Sequence, residues 1–476
     1  MQATNEWTPE LRFGGRLVML GFGSIGQGTL PLLLRHIDMR PDQLLIVKPS
    51  AKGLEVAEEL GVPHLLAPLD QDNYRKVLEP RLGPGDFLLN LSVDVSTTAL
   101  ITLCQERGAN YLDTCIEPWK GAYIDPSLPL DQRTNYALRE QALALRRPGE
   151  KQKTAILTHG ANPGMVSYLV KEAMLDLAKH IGLEVKRAPS TREAWAALAQ
   201  ALDVRVIHIA ERDTQVGTQR KSPGEFVNTW SADGFTSEGR QPAELGWGTH
   251  ERHFPPDGAR HASGSLAAIY LKRPGAATRV RSWTPLAGAY QGFLITHGES
   301  ISIADYFTVG DKAQPDYRPT VHYAYHPCDD AVLSVHELQA LNWEMQERRR
   351  VLKDDIVEGR DELGVLLMGH ARGAYWYGSQ LTIEQARELC PHNSATSLQV
   401  TAPVMAGVAW AMKHPDQGIL EPDDLPHEEL MRLIRPYLGP VVGVYTDWTP
   451  LTDRCKLYDE VVDRDDPWQF KNFRVS

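Results

Sequence analysis

The feature that most constrains the fold of this chain is a glycine-rich turn near its N-terminus. The apolar run "LVML" at residues 17–20 is followed by "GFGSIG" at residues 21–26 and then by a helix-like stretch. In a G-x-G-x-x-G turn the first glycine makes the bend and the second lets a pyrophosphate approach the backbone, while the third lets the helix pack on the strand. The order strand, turn, helix therefore predicts a dinucleotide-binding site.

Strand-like and helix-like runs alternate over residues 17–150. The runs "QLLIVKPS", "DFLLNLSVDVS" and "ANYLDTCIEPW" are typical of buried strands, and helix-like stretches separate them. Such alternation predicts βαβ units and a parallel sheet, so the fold class is α/β with a Rossmann-type doubly wound sheet.

The pattern changes after about Gly182. Residues 203–310 hold strand-like runs without regular helices, which favours an antiparallel or mixed sheet. Residues 332–356 read as one helix, and "GVLLMG" and "AYWYGSQL" as a late hairpin. From Thr382 the chain is helical and rich in small residues, so it can pack back on the first sheet. The second domain, of mixed α/β type, is then an insertion.

Composition and charge narrow the class of protein. The chain has 476 residues, of which 42% are hydrophobic, and a net charge of −11, which argues against nucleic-acid binding. Its five cysteines form no C-x-x-C pair, so we expect reduced thiols. Neither a signal peptide nor a run of about 18 apolar residues is present, and we expect a cytoplasmic protein that binds no membrane. We also find no zinc motif and predict no metal.

The second predicted strand ends in Lys48, where an acid that binds the adenosine ribose is usual. A lysine there could accept a 2′-phosphate and favour NADP. It could equally be an ordinary exposed residue, with the ribose held by the backbone or by Ser50. The motif alone leaves NAD and NADP open.

Polar side chains follow three strands of the first sheet. Asp94 comes after one strand, Thr114 and Glu117 after the next, and Asn162 lies in "THGANPGM". Because the carboxyl ends of parallel strands meet at one edge, we expect these groups to line the nicotinamide crevice. Asp94 and Asn162 could instead be helix caps, and Glu117 a rim charge.

A second polar cluster occurs within residues 205–310. It consists of Glu211, Trp230, Glu238, His297 and Glu299, of which the last two alternate and are predicted to share one strand face. Carboxylates pair with ammonium groups, an indole attracts a cation, and histidine or glutamate can move protons. These types suit an amine-binding site, although surface charge, a core tryptophan and a structural histidine are the simpler alternatives.

The chain resembles the bacterial NAD-dependent homospermidine synthases, of the saccharopine dehydrogenase-like superfamily, over essentially its full length. The stretches that carry the resemblance are "VMLGFGSIGQG", "NLSVDVS", "YLDTCIEPW", "THGANPGMVSYLVKEAM", "HIAERDTQ", "NTWS", "THGESISIADYF" and "ATSLQVTAPVMAGVAWAM". This resemblance implies a homodimer and a transferase that forms polyamines. Two putrescines, or putrescine and spermidine, would give homospermidine and ammonia or 1,3-diaminopropane through imine and Schiff-base intermediates, with bound NAD as a recycled hydride carrier.

The resemblance also implies domains and roles. We expect an NAD-binding domain over residues 1–160 completed by about 385–430, a substrate-binding and dimerisation α+β domain over 161–384, and a C-terminal extension over 431–476. The catalytic residues would be Glu238, His297 and Asn162, of which Glu238 and His297 would handle protons, and amine binding would fall to Asp94, Glu117, Glu211, Trp230 and Glu299. The cofactor would be held by Gly21, Gly23, Ser24, Ile25, Gly26, Ser92, Val93, Asp94, Thr114, Asn162 and Pro163.

Two alternatives remain at this point. A stoichiometric NAD(P)H-dependent imine reductase, such as a carboxynorspermidine or saccharopine dehydrogenase, would need an arginine clamp for carboxylate substrates. Arg212 and Arg220 keep that option open. A dinucleotide sensor without catalytic activity is the other alternative, and it would bind NAD without turning over any diamine.

Overall fold

The computed structural model describes residues 7–475, and the first part of the chain alternates strands with helices. Its strands are β1 (Leu11–Arg12), β2 (Leu17–Leu20), β3 (Ile37–Asp38), β4 (Leu44–Lys48), β5 (His64–Leu66), β6 (Phe87–Asn90), β7 (Asn110–Asp113) and β8 (Ala155–Ile156). Its helices are α1 (Ser24–His36), α2 (Glu55–Glu59), α3 (Tyr74–Leu78), α4 (Thr97–Arg107), α5 (Asn135–Leu143) and α6 (Met165–Ile181).

The remainder of the chain is dominated by strands. They are β9 (Val206–Asp213), β10 (Val216–Gly217), β11 (Glu225–Asn228), β12 (Pro242–Gly246), β13 (Gly258–Arg260), β14 (Ala268–Pro274), β15 (Arg279–Thr284), β16 (Gly288–Phe293), β17 (Val309–Gly310), β18 (Pro315–Tyr317), β19 (Thr320–His326), β20 (Arg348–Val351), β21 (Ile356–Glu358), β22 (Arg360–Met368), β23 (Ala374–Thr382), β24 (Ile419–Leu420) and β25 (Val441–Thr446). The helices are α7 (Arg192–Ala201), α8 (Ala232–Arg240), α9 (Gly298–Tyr306), α10 (Asp329–Ala340), α11 (Ile383–Leu389), α12 (Ala395–Lys413), α13 (His427–Ile434) and α14 (Phe470–Phe473).

Seven strands form a parallel sheet in the order β24-β8-β7-β6-β2-β4-β5, which confirms the predicted Rossmann-type fold. The chain runs from β2 outward through β4 and β5, then returns to the other side of β2 for β6, β7 and β8. The strand order therefore reverses beside β2, and in open α/β sheets the ligand crevice lies at such a switch point. The glycine turn follows β2 at this place.

The second sheet has ten strands and is mixed, as predicted. Its central strand β9 pairs in parallel with β19 and antiparallel with β22, which forms the predicted hairpin with β23. The strand β25 continues this sheet beyond β23. Because β9 lies in the middle, its residues are buried over nearly their whole length.

Helix α12 joins the two sheets. It is buried along almost its whole length and packs against α1 and β7. A Cβ added to Gly407 would lie 2.8 Å from Leu112 Cδ1, so the helix approaches the parallel sheet closely only because this position is glycine. The chain then adds β24 to the edge of that sheet, beside β8.

Two expectations about local structure are wrong. Residues 203–310 contain the helices α8 and α9, which are too short to show a clear helical period in the sequence. The helix predicted over 332–356 ends at residue 340, because Asn342 and Trp343 adopt left-handed backbone with φ of 54° and 70°. The rest of that stretch forms the strand β20, which pairs with β11, and a turn that leads into β21.

Candidate functional site

The glycine turn has the geometry that a dinucleotide requires. Gly21 has φ of 80°, and a Cβ there would lie 2.5 Å from the carbonyl oxygen of Leu91. A Cβ on Gly26 would lie 3.0 Å from Phe22 Cδ2, whereas a Cβ on Gly23 would meet no atom within 4 Å. Gly21 therefore makes the turn and Gly26 permits close packing, while Gly23 leaves open the approach to the N-terminus of α1. The residues present fit a bound pyrophosphate.

One cavity brings the two predicted clusters together. It lies where the carboxyl ends of β6, β7 and β8 face the second sheet, and residues from both parts of the chain form its wall. The predicted residues that line it are Ile25, Ser92, Val93, Thr114, Glu117, Asn162, Pro163, Glu211, Trp230, Glu238 and His297. Residues from the strand tips and from the second polar cluster thus line a single cavity.

Glu117 is a buried carboxyl group on the strand-tip side of this cavity. It accepts hydrogen bonds from the backbone N–H of Asp94 at 3.3 Å and from Cys115 Sγ at 3.3 Å. Burial raises the pKa of Glu117 to about 8. Burial likewise raises the pKa of Asp94, which is half-buried and does not itself line the cavity. Glu117 is therefore largely protonated at neutral pH until a cation approaches it.

Glu211 lies near the end of β9 and is held by two side chains. Asn162 Nδ2 donates to Glu211 Oε2 at 2.9 Å, and the Tyr323 hydroxyl donates to the same oxygen. Burial raises the pKa of Glu211 to about 7; the bond from Tyr323 opposes this shift, and the nearby Asp213 adds to it. Small changes in the cavity can therefore move a proton on or off Glu211 near neutrality.

His297 is bonded on both sides by carboxylates. Its Nε2 lies 3.1 Å from Glu238 Oε2 and its Nδ1 lies 3.2 Å from Glu299 Oε1. Burial alone would lower the pKa of His297, but the charges of Glu299 and Glu238 outweigh burial and raise it to about 10. The ring is therefore an imidazolium at neutral pH, and both nitrogens donate.

The expectation that His297 and Glu299 share a strand face is wrong. His297 is the residue before α9, and Glu299 lies in the first turn of that helix. Glu299 is 1% exposed and is not among the cavity-lining residues, so it contacts the site through His297. Glu238 lies on α8, which the sequence did not predict, and does line the cavity.

The indole of Trp230 is fixed at its polar edge. Trp230 Nε1 donates to the Tyr325 hydroxyl at 3.2 Å, and Tyr325 stacks on Tyr323 with ring centroids 5.0 Å apart. The carbonyl of Trp230 accepts a hydrogen bond from the Ser24 hydroxyl of the glycine turn. Trp230 thus connects the second polar cluster with the glycine turn.

Sequence reasoning missed several residues of the site. Tyr323 and Cys115 line the cavity, as does Thr396 from the start of α12. Asp361 lies in register with Asp213 across β22 and β9, and burial raises its pKa well above the usual range. The alternation in "TVHYAYH" could have indicated that Tyr323 shares a face with Val321 and Tyr325, whereas the position of Thr396 depends on how α12 packs.

The basic residues considered for a substrate carboxylate lie elsewhere. Arg212 pairs with Asp329 at 3.1 Å, and the side chain of Arg220 is 72% exposed. Within residues 7–475, the side chains that line the cavity include no lysine or arginine. The Lys48 ammonium is buried and donates to the carbonyl of Lys52.

The fold and the site define an enzyme of the saccharopine dehydrogenase type. Residues 17–157 match the family model described as the saccharopine dehydrogenase NADP binding domain, and residues 160–444 match the saccharopine dehydrogenase C-terminal domain.

Full-length relatives narrow the class further. The chain is 53% identical over 474 residues to the homospermidine synthase of Blastochloris viridis, and 48% identical over 479 residues to that of Mesorhizobium japonicum, with 99% of every chain covered. The crystal structure of the homospermidine synthase from Legionella pneumophila in complex with NAD superposes with a TM-score of 0.91 at 49% identity, covering 98% of both chains. The chain belongs to the homospermidine synthase family.

Proposed function

We propose that this enzyme condenses two putrescines, or putrescine and spermidine, to homospermidine, with release of ammonia or 1,3-diaminopropane. One observation carries the proposal: a cavity at the dinucleotide crevice has three carboxyl side chains and an indole in its wall, no lysine or arginine among the described residues, and a single imidazolium, His297, that is bonded to carboxylates on both sides. Such a wall is complementary to an organic cation with several ammonium groups.

The redox chemistry belongs to NAD, which when bound takes up one hydride from the carbon beside an amine and later returns it to the condensed product. No net oxidation results, so the enzyme is formally a transferase. The residues that would hold NAD are Gly21, Gly23, Ser24, Ile25, Gly26, Ser92, Val93, Asp94, Thr114, Asn162 and Pro163. Because Lys48 is bonded to its own loop, it is not offered to a 2′-phosphate, which supports NAD over NADP.

Different carboxyl groups bind the different ammonium groups of the substrate. Glu211, together with Asn162, holds one ammonium group on the side of the second sheet, and Glu117, which the backbone N–H of Asp94 holds in place, binds another near the strand tips. Both glutamates have raised pKa values, so an incoming ammonium favours their charged forms. Trp230 stabilises the cation between them through the face of its indole.

Proton transfer falls to Glu238 and His297. A protonated amine cannot attack an imine carbon, so a base in the cavity must first take its proton. The Glu238 carboxylate lines the cavity and is oriented by the His297 imidazolium at 3.1 Å. Glu299 does not contact the amine. It accepts a hydrogen bond from His297 Nδ1 and so fixes the orientation of that ring. Glu238 is thus the base, and because both N–H groups of His297 are bonded to carboxylates, a proton from His297 reaches the leaving nitrogen through Glu238.

The test is incubation of the enzyme with NAD and putrescine as the sole amine. Formation of homospermidine and ammonia in equal amounts, without net accumulation of NADH, is expected. Steady accumulation of NADH would instead indicate a stoichiometric dehydrogenase, and NAD binding without any amine turnover would indicate a sensor. The positions of Arg212 and Arg220 outside the cavity count against substrates that carry carboxylates.

We further propose that the enzyme is a cytoplasmic homodimer, as its family membership implies. The five cysteines are free, which agrees with a reducing compartment. Within residues 7–475, no helix is both long and apolar enough to cross a membrane. Light scattering of the purified protein tests the dimer by giving the mass of the particle in solution.

A further inference from the structure

The first turn of α1, which starts at the glycine turn, is held by residues from outside the parallel sheet. Three hydrogen bonds make this connection: Ser24 Oγ to the carbonyl of Trp230, Lys353 Nζ to Gln27 Oε1 at 2.8 Å, and Asn393 Nδ2 to the carbonyl of Gly28 at 3.2 Å. Lys353 is the one cationic side chain among these partners. No role in the site follows for it from the sequence motifs.

The charge of Lys353 is not balanced by a carboxylate. Among residues 7–475, no carboxylate oxygen lies within 4.0 Å of the Lys353 ammonium. The adjacent Asp355 is occupied, since it accepts from the backbone N–H of Lys353 at 3.0 Å and from Arg350 at 3.1 Å. The described hydrogen-bond acceptor for the ammonium is the neutral amide oxygen of Gln27.

The position of this ammonium is electrostatically unfavourable without an anion. The N-terminus of a helix carries partial positive charge, so a lysine beside the first turn of α1 is repelled by it. The same helix end fits the pyrophosphate of a dinucleotide. An anion placed there would be attracted by both the helix and Lys353.

The turn that carries Lys353 is rigid. Arg387 Nη2 donates to the carbonyls of Lys353, Asp354 and Ile356, at 3.0, 3.2 and 2.8 Å. Lys353 is thus presented to α1 from a fixed backbone, and little ordering remains to be done when a ligand binds.

The neighbours of Gln27 indicate which half of the dinucleotide is concerned. A Cβ added to Gly53 would lie 2.6 Å from Gln27 Nε2, so Gln27 fills the space between Lys353 and the loop after β4. In this fold the loop after the second strand of the sheet binds the adenosine ribose. Lys353 therefore lies on the adenosine side of the dinucleotide crevice. It does not line the cavity proposed to bind the amines.

We infer that Lys353 is a cofactor-binding residue supplied by the second domain, which binds the anionic adenosine-diphosphate part of NAD. This inference rests on the proposed use of NAD as a carrier that must stay bound between uptake and return of the hydride. It explains an unbalanced lysine at a helix N-terminus. It also makes cofactor retention depend on a domain other than the one with the glycine turn.

The experiment compares Lys353→Met with Lys353→Arg and with Lys272→Met, a matched change at an exposed lysine of β14. Each protein is loaded with labelled NAD, freed of excess by desalting and chased with unlabelled NAD. We expect Lys353→Met to release NAD about tenfold faster or more, as loss of a charge-assisted contact predicts. Lys353→Arg should stay close to the unsubstituted enzyme, and Lys272→Met should match it.

Thermal unfolding without NAD separates binding from a structural role. Apo Lys353→Met should unfold at or above the temperature of the unsubstituted apoenzyme, because the variant removes a charge repelled by the helix. Equal NAD release by the two proteins, or a marked loss of apoenzyme stability in the variant, would overturn the inference. If the unsubstituted enzyme retains no NAD, the proposed function fails as well.

Discussion

The Nε2 atom of His297 lies 3.1 Å from Glu238 Oε2, so a carboxylate and an imidazolium form one unit in the wall of the cavity. The two residues are 59 positions apart and come from different elements, a helix and the residue before another helix. The carboxylate of Glu238 faces the cavity, and the imidazolium holds it in place.

Glu238→Gln keeps the size and one oxygen of the side chain but removes its basicity. We expect turnover of putrescine to fall by about 10²- to 10⁴-fold, the usual contribution of a general base. The affinity for NAD, measured by calorimetry, should not change. The matched control is Glu58→Gln on the exposed surface of α2, which should retain full activity. Normal turnover in Glu238→Gln would remove Glu238 from the mechanism.

The role of the Trp230 indole can be tested separately from that of the Tyr325 hydroxyl, which accepts a hydrogen bond from its N–H group. Trp230→Ala should weaken diamine use by about 0.5–2 kcal/mol through loss of the cation–π contact. Tyr325→Phe removes the acceptor of the indole N–H and keeps the stacked ring, so it should have the smaller effect on KM. A Trp230→Ala protein that has normal kinetics per folded molecule, but a lower Tm, would show that Trp230 is only a core residue.

Diamine binding should release protons at neutral pH. The pKa of Glu117 is about 8 in the empty cavity, and an ammonium group beside it lowers that value. Titration calorimetry of putrescine at pH 7, repeated in buffers of different ionisation enthalpy, counts the released protons. We expect a clear release that shrinks in Glu117→Gln. Identical enthalpies in all buffers would be the contrary result.

The His297 pair predicts how stability depends on pH. The pKa of His297 is raised from 6.5 to about 10 by folding, so the folded chain holds a proton that the unfolded chain loses. The stabilisation is complete below pH 6.5 and is lost as the pH rises through 10. Chemical unfolding from pH 6.5 to 10 should therefore show a steeper decline for the unsubstituted protein than for His297→Gln. Parallel curves would contradict a raised pKa.

Alanine substitutions at Gly21 and Gly23 should affect different properties, protein stability in the first case and NAD binding in the second. Gly21→Ala forces a side chain into left-handed backbone and against the Leu91 carbonyl, so we expect a loss of about 1–3 kcal/mol of stability. Gly23→Ala meets no protein atom within 4 Å and should fold normally, yet it should lose NAD binding because its methyl group fills the pyrophosphate approach. Thermal unfolding of the apoproteins and NAD titration distinguish the two outcomes.

The parallel sheet could be predicted because its information is local. Apolar strands, amphipathic helices and the turn at residues 21–26 each show their own pattern, and right-handed βαβ connection leaves little freedom in assembling them. The second sheet could be predicted only as strand-rich. Helices α8 and α9 are nine residues each, too short for a clear period, and they hold Glu238 and Glu299.

The composition of the site could be predicted from residue types, but its geometry could not. Acids and an indole in strand-like segments predicted an amine site, and all of that cluster except Glu299 lines one cavity with the strand tips. The support of Glu211 by Tyr323 depends on β9 and β19 being neighbours in the sheet, although 112 residues separate the two side chains. No pattern within a short stretch of sequence indicates that β9 and β19 pair.

The sequence by itself determined a dinucleotide fold, a second strand-rich region and the residue types that suit a cation site, because periodicity, turn chemistry and side-chain type are properties of short segments. Only the tertiary structure decided that Glu299 lies behind His297, that Lys48 is bonded to its own loop and that Lys353 faces the first turn of α1. These relations arise from packing between elements far apart in the chain, where close contact and charge balance select one arrangement.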